Sequence, residues 1–478
     1  MDYLVRFAQT HETFRRPELQ ACATLAGVDI EILSYNEYSP NCVVRFPNEA
    51  AARETVKRCI LVKDVFELWG EGTNYEELHE DVPRRSQHIW KNFNNVSWKF
   101  VIHCFSGTCS LERRDKIMRS FQYMGIKGPI RLKNPEQEFH VMEEYIDDIE
   151  VKVRGISRPE EPRKIYLGRM IGKSCRDDMI KYDLKKRRYI STTSMDAELS
   201  LVTANMALAA PGKLFFDPFV GTGSFTVCAS HFGAMTLGAD IDGRSFRGKD
   251  STKLGVLENY IQYGTKSRFV DVLTSDLTNT PFRRAGFLDG IVCDPPYGVR
   301  EGLRVLGERK GKPAVNVIID GQYGFEAMQN DVLNYAVKAL VPNGRLSMWM
   351  PTTNDEKIEF PVPMHQNLEI VSVCVQDFGN WARRLITYRR LPEGELSDVT
   401  MARKKTDDKG HRADDLNAFR RVATAPELTK TKRHPNRHIT GRLNSQEIEE
   451  RPRADDLESE MIPEDPAHQI CARKQNEL

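Results

Sequence analysis

Strand patterns and helical patterns alternate along the chain from Lys213 to Arg390. Short apolar runs predict strands at 213–217, 234–240, 268–271, 288–293, 344–350, 369–376 and 384–390. Longer runs with helical periodicity predict helices at 223–232, 244–263 and 326–340. Such alternation is typical of an α/β fold with a doubly wound, Rossmann-like sheet, in which ligands bind at the carboxyl ends of the strands.

The first of these strands runs into a glycine turn with the sequence Asp217-Pro-Phe-Val-Gly221-Thr-Gly223-Ser. A nicotinamide-binding loop requires a third glycine where this chain has Thr226, so the dinucleotide fingerprint is not met. The two glycines instead allow the backbone to approach a ligand that has no pyrophosphate. We expect a cofactor pocket at this turn, and the alternative for the glycines alone is a tight structural turn.

Carboxylates follow the next two strands. Asp240 is placed to accept hydrogen bonds from both ribose hydroxyls of an adenosine, and Asp242 is expected to be a helix N-cap. Asp276 follows the third strand, where it can accept from an adenine amino group or serve as a turn or cap residue.

The fourth strand stops at Asp294-Pro295-Pro296-Tyr297, and the two prolines exclude a helix and fix the loop. An exocyclic amino group of a base is a poor nucleophile, because its lone pair is delocalised into the ring. The Asp294 carboxylate and the Pro295 carbonyl can accept from both of its N–H groups, and Tyr297 can stack on an extruded base. The alternative is a solvent-exposed turn after a strand.

Asp294 follows Asp217 by 77 residues, and the pairing of these two motifs resembles the class I amino-group methyltransferases that use S-adenosylmethionine. The segment from Tyr182 through Arg187 and Tyr189 to Thr193-Ser194-Met195-Asp196 narrows the resemblance further. It is similar to the catalytic subunits of the eukaryotic tRNA guanosine-10 N2-methyltransferases. One departure is Ile190-Ser-Thr-Thr193, where that family has Gly-Pro before Thr-Ser.

The resemblance implies transfer of a methyl group from S-adenosylmethionine to a guanine amino group in tRNA. It implies that Ser194 lies over the methionine end of the cofactor, with a plain helix N-cap at Ser194 or Asp196 as the alternative. It also implies a small zinc-binding activator subunit that shields an apolar edge of the methyltransferase sheet. Two other functions stay open: methylation of adenine N6 or of a protein glutamine, and a non-catalytic RNA-binding scaffold.

Sequence patterns in the N-terminal third of the chain predict two α+β units. The unit at 1–50 is ferredoxin-like, and the unit at 51–156 resembles THUMP-type RNA-binding domains. Lys127, Arg131 and Lys133 can approach RNA phosphates or can be ordinary solvated side chains. Between 51 and 156 the patterns predict a helix at 56–68, strands at 98–104, 130–132 and 138–141, and a helix at 113–124. The remaining stretches are predicted as a linker with a basic segment at 157–190, a methyltransferase domain at 191–395 and a charged, disordered tail at 396–478.

Amino-acid composition restricts how the chain can bind nucleic acid, which compartment it occupies and whether its cysteines hold a metal. A net charge of +1 argues against binding nucleic acid by bulk charge alone. Ten scattered cysteines predict reduced thiols and a cytoplasmic protein, and the closest pair, Cys104 and Cys109, is interpreted as buried thiols and not as a metal site. Neither a secretory signal nor a membrane span is expected. His231 is expected to pack at a helix end, without a catalytic role.

Overall fold

The computed structural model describes residues 1–146, 151, 160–248, 254–283, 285–297, 305–309, 312–317, 324–353, 362–378 and 381–397. All of these residues belong to one compact unit, Met1–His434, which contains two seven-stranded sheets. Of the predicted tail, only 396 and 397 lie within the described ranges. No helix in those ranges is long and apolar enough to cross a membrane.

The N-terminal sheet has the strand order β2-β3-β1-β4-β7-β6-β5, and each neighbouring pair is antiparallel except β5 and β6. Its strands are β1 (Asp2–Phe7), β2 (Glu31–Tyr35), β3 (Asn41–Arg45), β4 (Val62–Gly72), β5 (Trp98–Phe105), β6 (Gln137–Glu144) and β7 (Lys164–Lys173). Its helices are α1 (Glu12–Ala26), α2 (Glu49–Lys57), α3 (Tyr75–Ser86) and α4 (Leu111–Ser120), with 3-10 turns at Gln87–Phe93 and Gln122–Met124.

The predicted helix at 56–68 is wrong, because α2 ends at Lys57 and β4 begins at Val62. Strand β4 lies inside the sheet and is buried on both faces, so its apolar run lacks the alternation that distinguishes a strand from a helix. The predicted strand at 130–132 is reduced to a single bridge between Trp98 and Ile130.

The stretch 157–190, predicted as a linker, contains β7, which lies between β4 and β6. Strand β7 follows the predicted boundary at 156 and pairs with two strands that precede it. Because β1 and β4 are also neighbours, the two predicted N-terminal units share one continuous sheet.

The second sheet has the strand order β10-β9-β8-β11-β14-β16-β15. Its strands are β8 (Leu214–Asp217), β9 (Met235–Asp240), β10 (Phe269–Thr274), β11 (Leu288–Cys293), β14 (Leu340–Thr353), β15 (Leu368–Asp377) and β16 (Trp381–Arg390), and β12 (Val305–Arg309) and β13 (Lys312–Val317) form a separate antiparallel pair. The first five strands in that order are parallel, and β16 is antiparallel to both of its neighbours. The expected doubly wound, Rossmann-like α/β fold is thereby confirmed.

Helices cover both faces of this sheet. They are α5 (Asp178–Lys181), α6 (Ala197–Met206), α7 (Ser224–His231), α8 (Arg244–Arg247), α9 (Val256–Tyr263) and α10 (Phe325–Ala339), with 3-10 turns at Leu184–Lys186, Lys266–Arg268 and Leu277–Asn279. Residues of α6 and α7 pack in one apolar cluster, and residues of α10 pack in another on the opposite face. The predicted helix at 244–263 is interrupted, because Gly248 has a φ of +85° and residues 249–253 lie outside the described ranges.

Helix α1 joins the N-terminal domain to the C-terminal α/β domain. The fully buried carboxylate of Glu18 accepts from the backbone N–H groups of Ile60 (2.8 Å) and Leu61 (2.7 Å). It also accepts from the side-chain amide of Asn205 on α6 (2.8 Å), and burial raises the pKa of the Glu18 carboxyl. One buried carboxylate therefore satisfies donors from both domains.

Replacing Glu18 with alanine leaves the backbone N–H groups of Ile60 and Leu61 buried without their acceptor and removes one of the two acceptors of the Asn205 amide. We expect Glu18→Ala to lower the free energy of unfolding by about 3 kcal/mol, measured by urea denaturation. Gln20→Ala, at an exposed position of the same helix, serves as the control and is expected to change it by less than about 0.5 kcal/mol. Equal stabilities for the two variants would contradict a structural role for Glu18.

Candidate functional site

Four aspartates lie at the carboxyl edge of the parallel strands. Asp217 ends β8, Asp240 ends β9, Asp276 follows β10, and Asp294 directly follows β11. In the register of β8 and β11, Phe216 pairs with Ile291, so that Asp217 and Asp294 emerge at the same edge from adjacent strands. The four predicted site carboxylates are thus brought to one edge of the sheet, and their individual roles stay predictions.

The glycine turn lies between β8 and α7. Gly221 has a φ of +49° and Gly223 a φ of +77°, the left-handed region that glycine adopts without steric cost. The Gly221 N–H donates to Asp240 Oδ2 (3.1 Å), which ties the turn to the end of β9. A side chain at Gly223 would also collide with its surroundings, since a Cβ atom there would lie 2.4 Å from Val256 Cγ2.

Asp217 is the most deeply buried of the four carboxylates, with an exposed fraction of 1%. Burial raises the pKa of the Asp217 carboxyl well above its ordinary value, and the negative charges of Asp240 and Asp294 raise it further. The N–H of Phe219 donates to Asp217 Oδ1 (2.9 Å) and partly opposes that shift. Burial and the neighbouring carboxylates thus favour the protonated form of Asp217.

Asp294 and Tyr297 are joined by a hydrogen bond from the Tyr297 hydroxyl to Asp294 Oδ1. Burial and the neighbouring Asp294 charge raise the pKa of the Tyr297 phenol, so the hydroxyl keeps its proton and stays a donor. The Tyr297 ring meets Phe325 edge to face at 6.3 Å between centroids. Tyr297 therefore orients the carboxylate, a role that the sequence did not suggest.

The other two carboxylates are engaged by backbone donors. The Asp242 N–H donates to Asp240 Oδ1 (2.9 Å), so that both oxygens of Asp240 are held in place. Asp242 Oδ1 accepts from the N–H of Arg244 at the start of α8 (3.0 Å). Asp276 Oδ1 accepts from the N–H of Thr278 (2.8 Å) and caps the 3-10 turn, which is the structural alternative predicted for it.

The sequence left two alternatives for the Thr-Ser-Met-Asp segment, a position at the cofactor and a helix N-cap. The structure has different residues of the segment at the helix end and at the glycine turn. Asp196 is the N-cap of α6, where it accepts from the Leu199 N–H (2.9 Å). Ser194 is not the cap, and its hydroxyl lies 2.7 Å from the Thr222 hydroxyl in the glycine turn. Ser194 thus contacts the glycine turn, and its role at the methionine end of the cofactor stays a prediction.

Sequence patterns missed Asn259, which connects the glycine turn to the segment before the catalytic domain. Its side-chain amide donates to the carbonyls of Tyr189 (2.8 Å) and Thr222 (3.2 Å). Its side-chain oxygen accepts from the Tyr189 N–H (3.0 Å). Asn259 is a single polar residue within an apolar helix face, and nothing in its sequence neighbourhood indicates these partners.

His231 and the pair Cys104 and Cys109, which the sequence offered as candidates for catalytic and metal-binding roles, have hydrogen-bonding partners within the protein. His231 forms hydrogen bonds with Asp178 (3.0 Å) and Tyr182 (3.1 Å), and burial lowers the pKa of the imidazole, in agreement with packing at a helix end. The sulfurs of Cys104 and Cys109 lie within 4.8 Å of a carboxylate oxygen of Glu143. That carboxylate already accepts from several side chains, namely Tyr75, Cys104, Arg113 and Tyr145.

Comparison with known proteins identifies two regions. Residues 1–176 match the family model described as Tmrp11 THUMP N-terminal domain, and residues 185–305 match the RMKL-like methyltransferase domain. The tRNA (guanine(10)-N(2))-methyltransferase of Saccharomyces cerevisiae is 41% identical over 406 residues, which are 81% of this chain and 92% of the relative. The proteins of that name from Schizosaccharomyces pombe and Homo sapiens are 35% and 34% identical over 83% of this chain, and 91% and 89% of their own lengths.

The glycine turn provides a test of the site's architecture. We expect Gly223→Ala to lower the free energy of unfolding by about 3 kcal/mol, because left-handed strain adds to the collision with Val256. Gly264→Ala is the matched control and should cost about 1 kcal/mol, because Gly264 has a φ of +70° but an added Cβ would meet no atom within 4 Å. Thermal and urea unfolding of both variants measure the difference, and equal losses would show that Val256 does not confine the turn.

Proposed function

We propose, since this chain belongs to the family of tRNA (guanine(10)-N(2))-methyltransferases, that it transfers the methyl group of S-adenosylmethionine to the exocyclic amine of guanosine 10 in tRNA. The observation that supports this function best is the position of Asp294-Pro-Pro-Tyr297. It lies at the end of the strand next to β8, which leads into the glycine turn. A methyl acceptor beside Asp294 would therefore lie next to the cofactor loop.

The chemistry assigned to Asp294 is that of a hydrogen-bond acceptor. Its carboxylate and the Pro295 carbonyl hold the two N–H groups of guanine N2, and the carboxylate stabilises the positive charge that develops on nitrogen. The hydroxyl of Tyr297 fixes the carboxylate, and the prolines Pro295 and Pro296 fix the backbone, because methyl transfer to an amine depends chiefly on alignment. Stacking of the base on the Tyr297 ring is part of this proposal.

The residues around the glycine turn fit the cofactor. S-adenosylmethionine would supply an activated methyl group: as the carbon–nitrogen bond forms, the carbon–sulfur bond breaks with its electron pair going to sulfur, and the methylated nitrogen then releases one proton. We assign the ribose hydroxyls to Asp240, the adenine amino group to Asp276 and the methionine end to Ser194. Asp240, Asp276 and Asp294 favour the positive charge of the cofactor, and Gly221 and Gly223 let the backbone approach it.

We propose that the N-terminal domain holds the tRNA on the surface that follows α4. There, exposed apolar side chains alternate with basic ones in Ile130-Arg131-Leu132-Lys133, and Lys127 lies in the same loop. Basic side chains neutralise phosphates, and exposed aliphatic side chains can pack against unpaired bases or sugars. This arrangement supports binding of RNA, with Lys127, Arg131 and Lys133 contacting the phosphate backbone.

We propose that a small zinc-binding activator subunit docks on the β10 edge of the catalytic sheet. Among the described residues β10 pairs only with β9, and Val270 on it is 47% exposed. Leu257 and Ile261, one turn apart on α9, are also exposed, and α9 packs against β10 through the Tyr260 and Phe269 rings. The opposite edge strand, β15, is a weaker candidate, since the Thr13 hydroxyl already bonds to both backbone groups of Val375.

Docking on β10 predicts that Val270→Asp reduces copurification of a tagged activator at least tenfold, because the partner would bury an unpaired charge. Val375→Asp introduces the same change on the other edge strand, where Val375 is 36% exposed, and should leave the complex intact. Loss of the complex in the Val375 variant alone would place the activator on β15 instead.

Residence in the cytoplasm is also proposed. The nine cysteines in the described ranges are all free, including the neighbours Cys104 and Cys109. Thiols that lie close together and remain reduced are typical of a reducing compartment.

The activity is tested with labelled S-adenosylmethionine and unmodified tRNA, followed by nucleoside analysis. We expect N2-methylguanosine from the wild type, a loss of about 100-fold or more in Asp294→Asn, and no change in the exposed control Asp177→Asn. Tyr297→Phe, which keeps the ring but not the hydroxyl, should lose about tenfold. N6-methyladenosine would support the adenine alternative, methylated protein the glutamine alternative, and cofactor binding with no methylated product the scaffold.

A further inference from the structure

The four basic residues Lys185 to Arg188 do not share one environment. Lys185, Lys186 and Arg188 are exposed, whereas Arg187 has an exposed fraction of only 5%. Its guanidinium lies 6.0 Å from the centre of the Tyr263 ring, inside the catalytic domain. One member of a run that looks like a solvated or RNA-binding surface is therefore an internal cation.

The partners of Arg187 are all neutral. One terminal nitrogen donates to Ser224 Oγ (3.1 Å) and the other to the Tyr182 carbonyl at 3.4 Å, while the buried Nε has no acceptor. Within the described ranges, no carboxylate lies within 4.0 Å of this guanidinium. An arginine keeps its charge in proteins, so a buried arginine with neutral partners carries an uncompensated positive charge.

The positive charge of Arg187 lies beside the N-terminus of α7, so the excess of positive charge at this place is greater still. Ser224 is the first residue of α7, where the helix dipole is positive. The N-cap is Gly223, and no side chain caps the first turn, so the initial N–H groups also need acceptors. A cation beside a helix N-terminus is unfavourable unless an anion lies between them, and an anion there would satisfy both.

We propose that Arg187, Ser224 and the first turn of α7 bind the carboxylate of the methionine moiety of S-adenosylmethionine. This assignment rests on the proposed function, which makes S-adenosylmethionine the ligand of the adjoining glycine turn. The carboxylate is the only anionic group of that ligand. Ser194, which we assign to the methionine end, bonds to Thr222 in the same turn, two residues before Ser224.

Binding of two ligands to the full-length chain tests this assignment. S-adenosylhomocysteine carries the carboxylate, and its decarboxylated analogue lacks only that group, so titration calorimetry with both isolates the carboxylate contribution. We expect the wild type to bind S-adenosylhomocysteine about 10- to 100-fold more tightly than the analogue. In Arg187→Gln that ratio should fall to about threefold or less, through weaker binding of S-adenosylhomocysteine alone.

Three variants separate this role from a structural one. Arg187→Lys keeps the charge and should retain part of the ratio, and Arg188→Gln, at the neighbouring 58% exposed side chain, should retain all of it. If Arg187 only supports the fold, Arg187→Gln will weaken both ligands equally and leave the ratio unchanged, which would overturn the assignment. If the wild type binds neither ligand, the proposed function itself fails.

Discussion

The site depends on the reversal of strand order between β8 and β11. From β8 the chain proceeds to β9 and β10 on one side, and from β11 it proceeds to β14 on the other. The connecting helices therefore cover opposite faces, α7 with one apolar cluster and α10 with the other. In doubly wound sheets, ligands bind outside the carboxyl ends of the two strands at which the strand order reverses. The glycine turn and Asp294 lie at this position because they are the first residues after β8 and β11.

A cluster of carboxylates at one sheet edge is electrostatically unfavourable in the free protein. Burial raises the pKa of the Asp217 carboxyl most, and the negative charges of Asp240 and Asp294 raise it further. Backbone N–H groups of Phe219, Gly221 and Asp242 offset part of that repulsion and hold the carboxylates in fixed orientations. A cationic ligand offsets more of it, so relief of this repulsion contributes to binding of such a ligand.

Motifs whose function is local could be predicted from the sequence. The glycine turn and Asp294-Pro-Pro-Tyr297 carry their signal within a few residues, because left-handed backbone needs glycine and a rigid loop needs proline. Features that depend on distant partners could not be predicted. Strand β4 lacks alternation because its neighbours bury both of its faces, and Arg187 turns inward because of Tyr182, Ser224 and Tyr263. Either Ser194 or Asp196 could have capped α6, and the choice follows from Thr222, which gives the Ser194 hydroxyl another partner.

Helix α6 connects the N-terminal domain to the catalytic site. Its first turn is capped by Asp196, two residues after the contact between Ser194 and the glycine turn. Near its other end, Asn205 bonds to Glu18 and Arg58 of the N-terminal domain. A ten-residue helix spans about 15 Å and bends little, so it transmits position from one end to the other. The proposed tRNA-binding domain and the proposed methyl-transfer site are therefore connected through this helix.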